Sequence, residues 1–187
     1  KKNKINEKTY LKPINAYGKS KVFSERLFKD LKFKNFLILR FFNIIGNLYF
    51  DKKLKNSLPQ IIFNKNIKKD FNLFINVNYI KGVKIFPTRD YIHIYDICNI
   101  IYLSLKKFSN VNQEVLNCGS GIENSIFNLA LLFKKIYNFK FNFYFRNLEK
   151  NEILSICCDN SKLVRKLKIS LKFKNLLNMV KNYNYKF

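Results

Sequence analysis

Three features of the 187-residue sequence predict an α/β fold. A segment with helical periodicity, residues 17 to 31, is followed by a compact apolar run, FLILRFF at 36 to 42. Strand-like and helix-like segments then continue in turn toward the C terminus, the pattern of a sheet covered by helices. A composition of 48% hydrophobic and 17% aromatic residues supplies enough apolar surface for a real core in one domain, or one domain with a small lobe.

Residues 1 to 16 are polar, and Lys12-Pro13-Ile14-Asn15 reads as a loop leading into the first helix. In that helix Tyr17, Lys21, Glu25 and Phe28 lie on helical spacings, while Val22, Phe23, Leu27 and Leu31 give an expected buried side. The run 36 to 42, bracketed by Asn35 and Asn43, predicts a buried strand. Pro59 suits the first turn of a helix over 60 to 67, and LFINV at 73 to 77 predicts a strand. RDYIHI at 89 to 94 leads into an apolar periodic helix ending near 108, with Asp96 near its start, where the helix dipole favours an acid. A short strand at 115 to 118, a CGSG turn and a helix over 125 to 137 capped by Ser125 follow. The alternating FKFNFYF at 139 to 145 predicts a strand, and helices at about 160 to 168 and 173 to 182 close the chain.

Lys and Arg total 36 against 12 Asp and Glu, a formal charge of +24. Such a charge is compatible with a polyanion-binding surface, but it is spread over nearly every segment rather than concentrated, as a compositional drift toward Lys would leave it. Nucleic acid is therefore not the expected partner. No stretch of about 20 apolar residues is free of charge, so no membrane span is expected, and the Lys-rich start lacks the apolar region of a secretory signal. Cys98, Cys118, Cys157 and Cys158 form no C-x-x-C pair, and the sequence holds a single histidine, His93. Free thiols in a cytoplasmic protein, with no metal, are the expectation.

Tyr17-Gly18-Lys19-Ser20-Lys21 is the sharpest chemical constellation. Positions i and i+4 of a helix face the same way, so the phenol and the ammonium can share one site. An ammonium favours the anionic form of a neighbouring phenol, and such a pair can exchange a proton with a sugar hydroxyl.

INEKTYLKPINAYGKSK at 5 to 21, LRFFNIIG at 39 to 46, NSLP at 56 to 59, RDYIHIYDI at 89 to 97 and NCGSGIENSI at 117 to 126 occur in one order along the chain. Together they closely resemble the UDP-glucose 4-epimerases of the extended short-chain dehydrogenase/reductase family, the NAD-dependent epimerases and dehydratases. The resemblance implies a partial Rossmann-like parallel sheet with a smaller C-terminal mixed α/β substrate-binding lobe, mainly from about residue 45 onward and interleaved with the remaining Rossmann elements. It implies NAD as cofactor and a UDP-hexose as substrate. Tyr17 would be the catalytic acid/base, and Lys21 would bind the nicotinamide ribose and assist Tyr17. Asn43 resembles a residue contacting the sugar diphosphate, Asn56 a uridine contact, and Leu58 part of the same pocket. Arg89 resembles the arginine that pairs with the diphosphate. Asp90 and Asp96 read as fixing local structure, and His93 as packing. The implied reaction is reversible hydride transfer at sugar C4, interconverting UDP-glucose and UDP-galactose.

No G-x-G-x-x-G or related glycine fingerprint occurs in the sequence, and residue 1 lies close upstream of Tyr17. The resemblance thus implies a C-terminal portion of the enzyme whose N-terminal glycine-rich part is missing. A homodimer of the full enzyme, or a separate N-terminal half, would then be the protein partner. The family's arginine-containing stretch before the C-terminal helices falls on Leu148-Glu149-Lys150-Asn151-Glu152, where an acid stands instead, with Arg146 nearby. Another nucleotide-sugar epimerase or dehydratase, an inactive remnant, and a basic polyanion-binding module are the alternative readings.

Overall fold

The computed structural model describes residues 4–31, 33–46, 57–65, 71–149 and 152–184. Helix α1 (Ala16–Asp30) starts at Asn15, whose side-chain oxygen accepts from Gly18 N at 2.8 Å and satisfies an otherwise orphaned first-turn donor. Strands β1 (Leu37–Phe41) and β2 (Asn43–Ile45) follow, then α2 (Leu58–Lys65), with Pro59 in its first turn. The long strand β3 (Phe71–Ile80) turns through Lys81 and Gly82, at φ 51° and 78°, into β4 (Val83–Ile85). Positive φ at both positions is what a two-residue hairpin needs to match strand twist. Then come β5 (Thr88–His93), α3 (Ile94–Lys106), α4 (Phe108–Val111), β6 (Glu114–Cys118) and β7 (Glu123–Ser125). Helix α5 (Ile126–Ile136), capped by Ser125, leads to β8 (Phe141–Asn147), α6 (Ser161–Leu167) and α7 (Leu176–Lys181).

The pairings make the fold α/β with parallel Rossmann-like strands and a smaller mixed lobe. β1 runs parallel to β6, from Leu37 beside Glu114 to Phe41 beside Cys118. β2 runs parallel to β5, and β7 closes that sheet antiparallel. In the third sheet β3 lies between antiparallel β4 and parallel β8.

Two cores follow from these sheets. Ile92, Ile100, Leu116, Leu163 and Leu167 form the core around β6, α3 and α6. Leu73, Ile75, Val77, Leu129, Phe133 and Met179 form the larger one between β3, β8, α5 and α7. Along β3 the odd positions 73, 75 and 77 are buried while Asn72 and Phe74 are exposed, so its period-two pattern is the imprint of one covered face. Each fully buried aliphatic side chain contributes about 1.5–3 kcal/mol.

The expected buried side of α1 is corrected: none of the helix is buried, and Phe23 and Leu31 are 66% and 56% exposed. The helix turns Glu25 toward Arg40 of β1 instead. At 100° per residue, Phe23, Leu27 and Leu31 fall on roughly the opposite side from Glu25. β2, β4 and β7 are three-residue strands, too short to show alternation in the sequence.

Candidate active site

Tyr17 sits in the first turn of α1 with Lys21 one turn on, and the Lys21 Nζ lies 5.4 Å from the centre of the Tyr17 ring. Ser20 Oγ donates to Tyr17 O at 2.8 Å, tightening that turn. Tyr17 is 72% exposed and opens onto a cleft of about 600 Å³, lined also by Tyr10, Phe42, Asn43, Ile153 and Ile156. Lys21 borders a neighbouring groove of about 510 Å³ along β1. Arg40 and Phe41 line both, so the pair flanks the C-terminal end of β1.

The N-terminal segment walls the cleft. Ile5 N donates to Cys157 O and Asp159 N donates to Ile5 O, both at 2.8 Å, bridging this segment to the chain just before α6. Thr9, Tyr10, Leu11 and Lys12 are thereby brought to the cleft rim.

Asn43 lines the same cleft as Tyr17, and its Nδ2 donates to Asp90 O at 3.2 Å, which holds it to β5. Arg89 on β5 donates through Nη1 to Thr88 O and to Ile153 O, both at 2.8 Å. The guanidinium is thus attached to the Ile153 segment of the cleft wall without lining the cleft itself. Leu58 is half-buried and packs against the larger core. Asn56 lies outside the described residues.

The neighbouring Asp90 is fully buried and faces inward. Its Oδ1 accepts from Ser120 N and Ser120 Oγ at 2.7 Å, and its Oδ2 from Gly121 N at 2.9 Å and Cys158 N at 3.0 Å. Burial raises its carboxyl above the usual range, against the pull of the Ser120, Cys158 and Gly121 donors. A side chain at Gly119 would come within 2.9 Å of Asp90 Oδ2 and 2.7 Å of the Cys158 Cβ, so glycine permits this close approach. Asp96, also buried, accepts from Lys172 N at 2.7 Å and Phe173 N at 3.1 Å. His93 caps α3, its Nδ1 accepting from Tyr95 N at 3.2 Å while Nε2 bonds Asn182 O at 3.0 Å. Burial pushes its imidazole below the ordinary value, so it is a neutral packing histidine with Nε2–H facing the carbonyl.

Glu149 is exposed, and the Arg146 guanidinium stacks 3.6 Å over the Phe74 ring on the outer face of the third sheet. The four cysteines are free thiols, and burial raises Cys118 to about 12, which keeps it protonated and unreactive. Among the described residues no group of three His, Cys, Asp or Glu could hold a metal ion, and no helix is long and apolar enough to cross a membrane.

Sequence reasoning did not single out Tyr10, Phe42, Ile153 and Ile156 as cleft walls, because they come from three segments distant in the chain. The role of Arg40 was also missed, although Glu25, its partner, stands one helical turn past Lys21.

The family model described as the NAD dependent epimerase/dehydratase family matches residues 1–119. This corrects the expectation of a C-terminal portion lacking the family's N-terminal part, since the match begins at residue 1 and occupies the N-terminal region of this chain. The chain is 31% identical to the UDP-glucose 4-epimerase of Mycoplasma genitalium over 140 residues, 69% of this chain and 40% of that relative. It superposes with a TM-score of 0.80 on the UDP-glucose 4-epimerase of Bifidobacterium longum, solved with NAD+ and UDP, at 21% identity over 95% of this chain and 56% of that one. The UDP-Glc/GlcNAc 4-epimerase of Campylobacter jejuni gives 0.73 at 26% identity, over 96% of this chain and 57% of that one. The chain thus spans about half the length of the relatives it matches. Motif order, parallel topology and the family match agree, and the chain belongs to the NAD dependent epimerase/dehydratase family.

Proposed function

We propose that the protein transforms nucleotide sugars with Tyr17 as the acid/base, and in the finer reading that it interconverts UDP-glucose and UDP-galactose. The observation that carries this is the Lys21 ammonium 5.4 Å from the Tyr17 ring, Tyr17 opening onto the cleft it shares with Asn43 and Lys21 onto the adjoining groove. NAD is the cofactor of the family, and the donor set fits its nicotinamide end: a phenol and an ammonium are what ribose hydroxyls would meet there. The phosphates of NAD are assigned to no residue. The chemistry that bound NAD would supply is reversible hydride acceptance at sugar C4.

The chain's own residues would then do the following. Tyr17 takes the proton of the 4-hydroxyl, holds it as a neutral phenol while the 4-keto sugar presents its opposite face, and gives it back to O4, the Lys21 ammonium stabilising the phenolate that exists before the first transfer and after the second. Asn43 orients the substrate, anchored through Asp90 O. Arg89, held at Ile153, offers a cation to the diphosphate. Residues from about 45 onward would form the substrate lobe, with Leu58 on its nucleotide side. The reading is supported by the UDP-glucose 4-epimerase relatives, whose own names span UDP-glucose and N-acetylglucosamine substrates.

The test supplies the purified protein with NAD and UDP-galactose and follows UDP-glucose by a coupled dehydrogenase. The expected result is turnover in the parent and a loss on the order of 10²- to 10⁴-fold in Tyr17→Phe, with UDP-sugar binding retained. Lys21→Ala should also slow turnover and weaken NAD binding. Equal rates in parent and Tyr17→Phe would refute the assignment, and products from another nucleotide sugar alone would move the function within the family.

A further inference from the structure

Helix α1 carries the candidate catalytic pair yet buries none of its residues, so apolar packing alone does not fix its orientation. It is fastened to β1 by a fork. Arg40 Nε donates to Glu25 Oε2 at 2.9 Å and Nη2 to Glu25 Oε1 at 2.6 Å, with the two side chains only 19% and 9% exposed. The remaining arm of the guanidinium, Nη1, donates to Glu7 O at 3.1 Å. Glu7 in turn accepts from Asn117 N at 2.9 Å, and Asn117 Nδ2 donates to Ile5 O at 3.0 Å. One cation therefore joins the helix, the strand and the segment that walls the cleft.

Glu25 stands four residues past Lys21 and eight past Tyr17. Steps of four drift only about 40° around a helix, so all three lie along one edge, over a length of about 12 Å. Rotation of α1 about its axis would swing Tyr17 and Lys21 together, and the planar two-point contact at Glu25 resists that rotation. Burial raises the Glu25 carboxyl, and the Arg40 and Lys29 hydrogen bonds outweigh it, so the group stays ionised at neutral pH.

We propose that Glu25 and Arg40 are positioning residues that clamp α1 in the rotation presenting Tyr17 and Lys21 to the substrate cleft. The proposal rests on the acid/base reading of Tyr17. Neither residue need touch substrate: their effect passes through the helix, and misplacement of a reacting group by about 1 Å can cost on the order of 10²-fold in rate.

The experiment compares the parent with Glu25→Gln, Arg40→Lys and the charge-swapped double variant Glu25→Arg/Arg40→Glu. Amide hydrogen exchange, which requires no turnover, is read by mass spectrometry over α1, β1 and β6, and kcat and KM are measured with NAD and UDP-galactose. The expected result is faster exchange confined to α1 in both single variants, kcat lowered roughly 10- to 100-fold and KM kept within about twofold, with partial recovery of both readouts in the swapped pair. Parent-like exchange in α1, exchange raised equally across β1 and β6, or an unchanged kcat despite a loosened α1 would each overturn the clamp. If Tyr17→Phe turns over like the parent, the acid/base reading fails and the clamp falls with it. If Tyr17→Phe is slow while the clamp variants match the parent, the clamp alone fails.

Discussion

Replacing Asp90 by Asn changes almost no volume and removes the acceptor capacity on which the Ser120-Gly121 turn and Cys158 converge. The carboxylate takes two hydrogen bonds on each oxygen, three of them from the backbone amides of Ser120, Gly121 and Cys158. An amide keeps one oxygen. In its better orientation the new NH2 lies at the Oδ1 position, where Ser120 Oγ can rotate to accept, but Ser120 N then faces a donor inside the protein. One buried orphaned amide costs about 1–3 kcal/mol, and the two bonds kept on the other oxygen lose their charge assistance, about 1 kcal/mol each. These losses total about 3–5 kcal/mol, and relief of the desolvation that raises the Asp90 carboxyl offsets part of them, so the expected destabilisation is about 3 kcal/mol. Urea unfolding of parent and Asp90→Asn, monitored by circular dichroism, should show a lower midpoint at an unchanged slope. Ser120→Ala, which removes the hydroxyl donor alone, should cost about 1 kcal/mol. A loss below about 1 kcal/mol in Asp90→Asn would mean that solvent already satisfies these donors, contrary to full burial.

Arg89→Ala should weaken binding of UDP on the order of 10-fold or more, measured by calorimetry, with Arg89→Lys recovering only part, because a point charge cannot reproduce a guanidinium fork; an unchanged Kd would remove Arg89 from the substrate side. For His93, burial places the folded-state value below 6.5, so the unfolded chain takes up the proton first as the pH falls. The stability it contributes is complete above the ordinary histidine value and is lost as the pH drops through the folded-state value. Urea midpoints at about pH 7.5 and about pH 5.5 should fall in the parent and fall less in His93→Gln. As His93 is the single histidine of the sequence, equal slopes would contradict its burial as a neutral group.

Much of this architecture could be read from local pattern. Leu73, Ile75 and Val77 recur at every second position and form the buried side of β3, and Ser125 before an apolar periodic run marks the start of α5. The i, i+4 spacing of Tyr17 and Lys21 brings them together because it depends on helix geometry alone. What a local pattern cannot carry is the identity of the covering surface. The strip Phe23, Leu27 and Leu31 looks like a core-facing side, yet the helix is oriented by a charged fork on its other side. Likewise the partners of Asp90 come from Ser120, Gly121 and Cys158, and nothing near position 90 in the chain announces them.

The parallel pairings also shape how the chain must reach this state. Leu37 meets Glu114 and Phe71 meets Phe141, so neither sheet can begin from a local hairpin of its own parallel strands. Each closure must meet the entropy of ordering a long intervening segment before any ladder bond offsets it. Asp96 and His93 then wait for Lys172, Phe173 and Asn182 to arrive from the far end of the chain. On the ribosome, β1 and β3 therefore emerge well before their partners, with β-rich edges such as LILRF unpaired during synthesis. The interval between emergence and pairing is when this chain is most open to association with other chains, and slower folding at high expression should appear first as aggregation rather than as loss of the native state already formed.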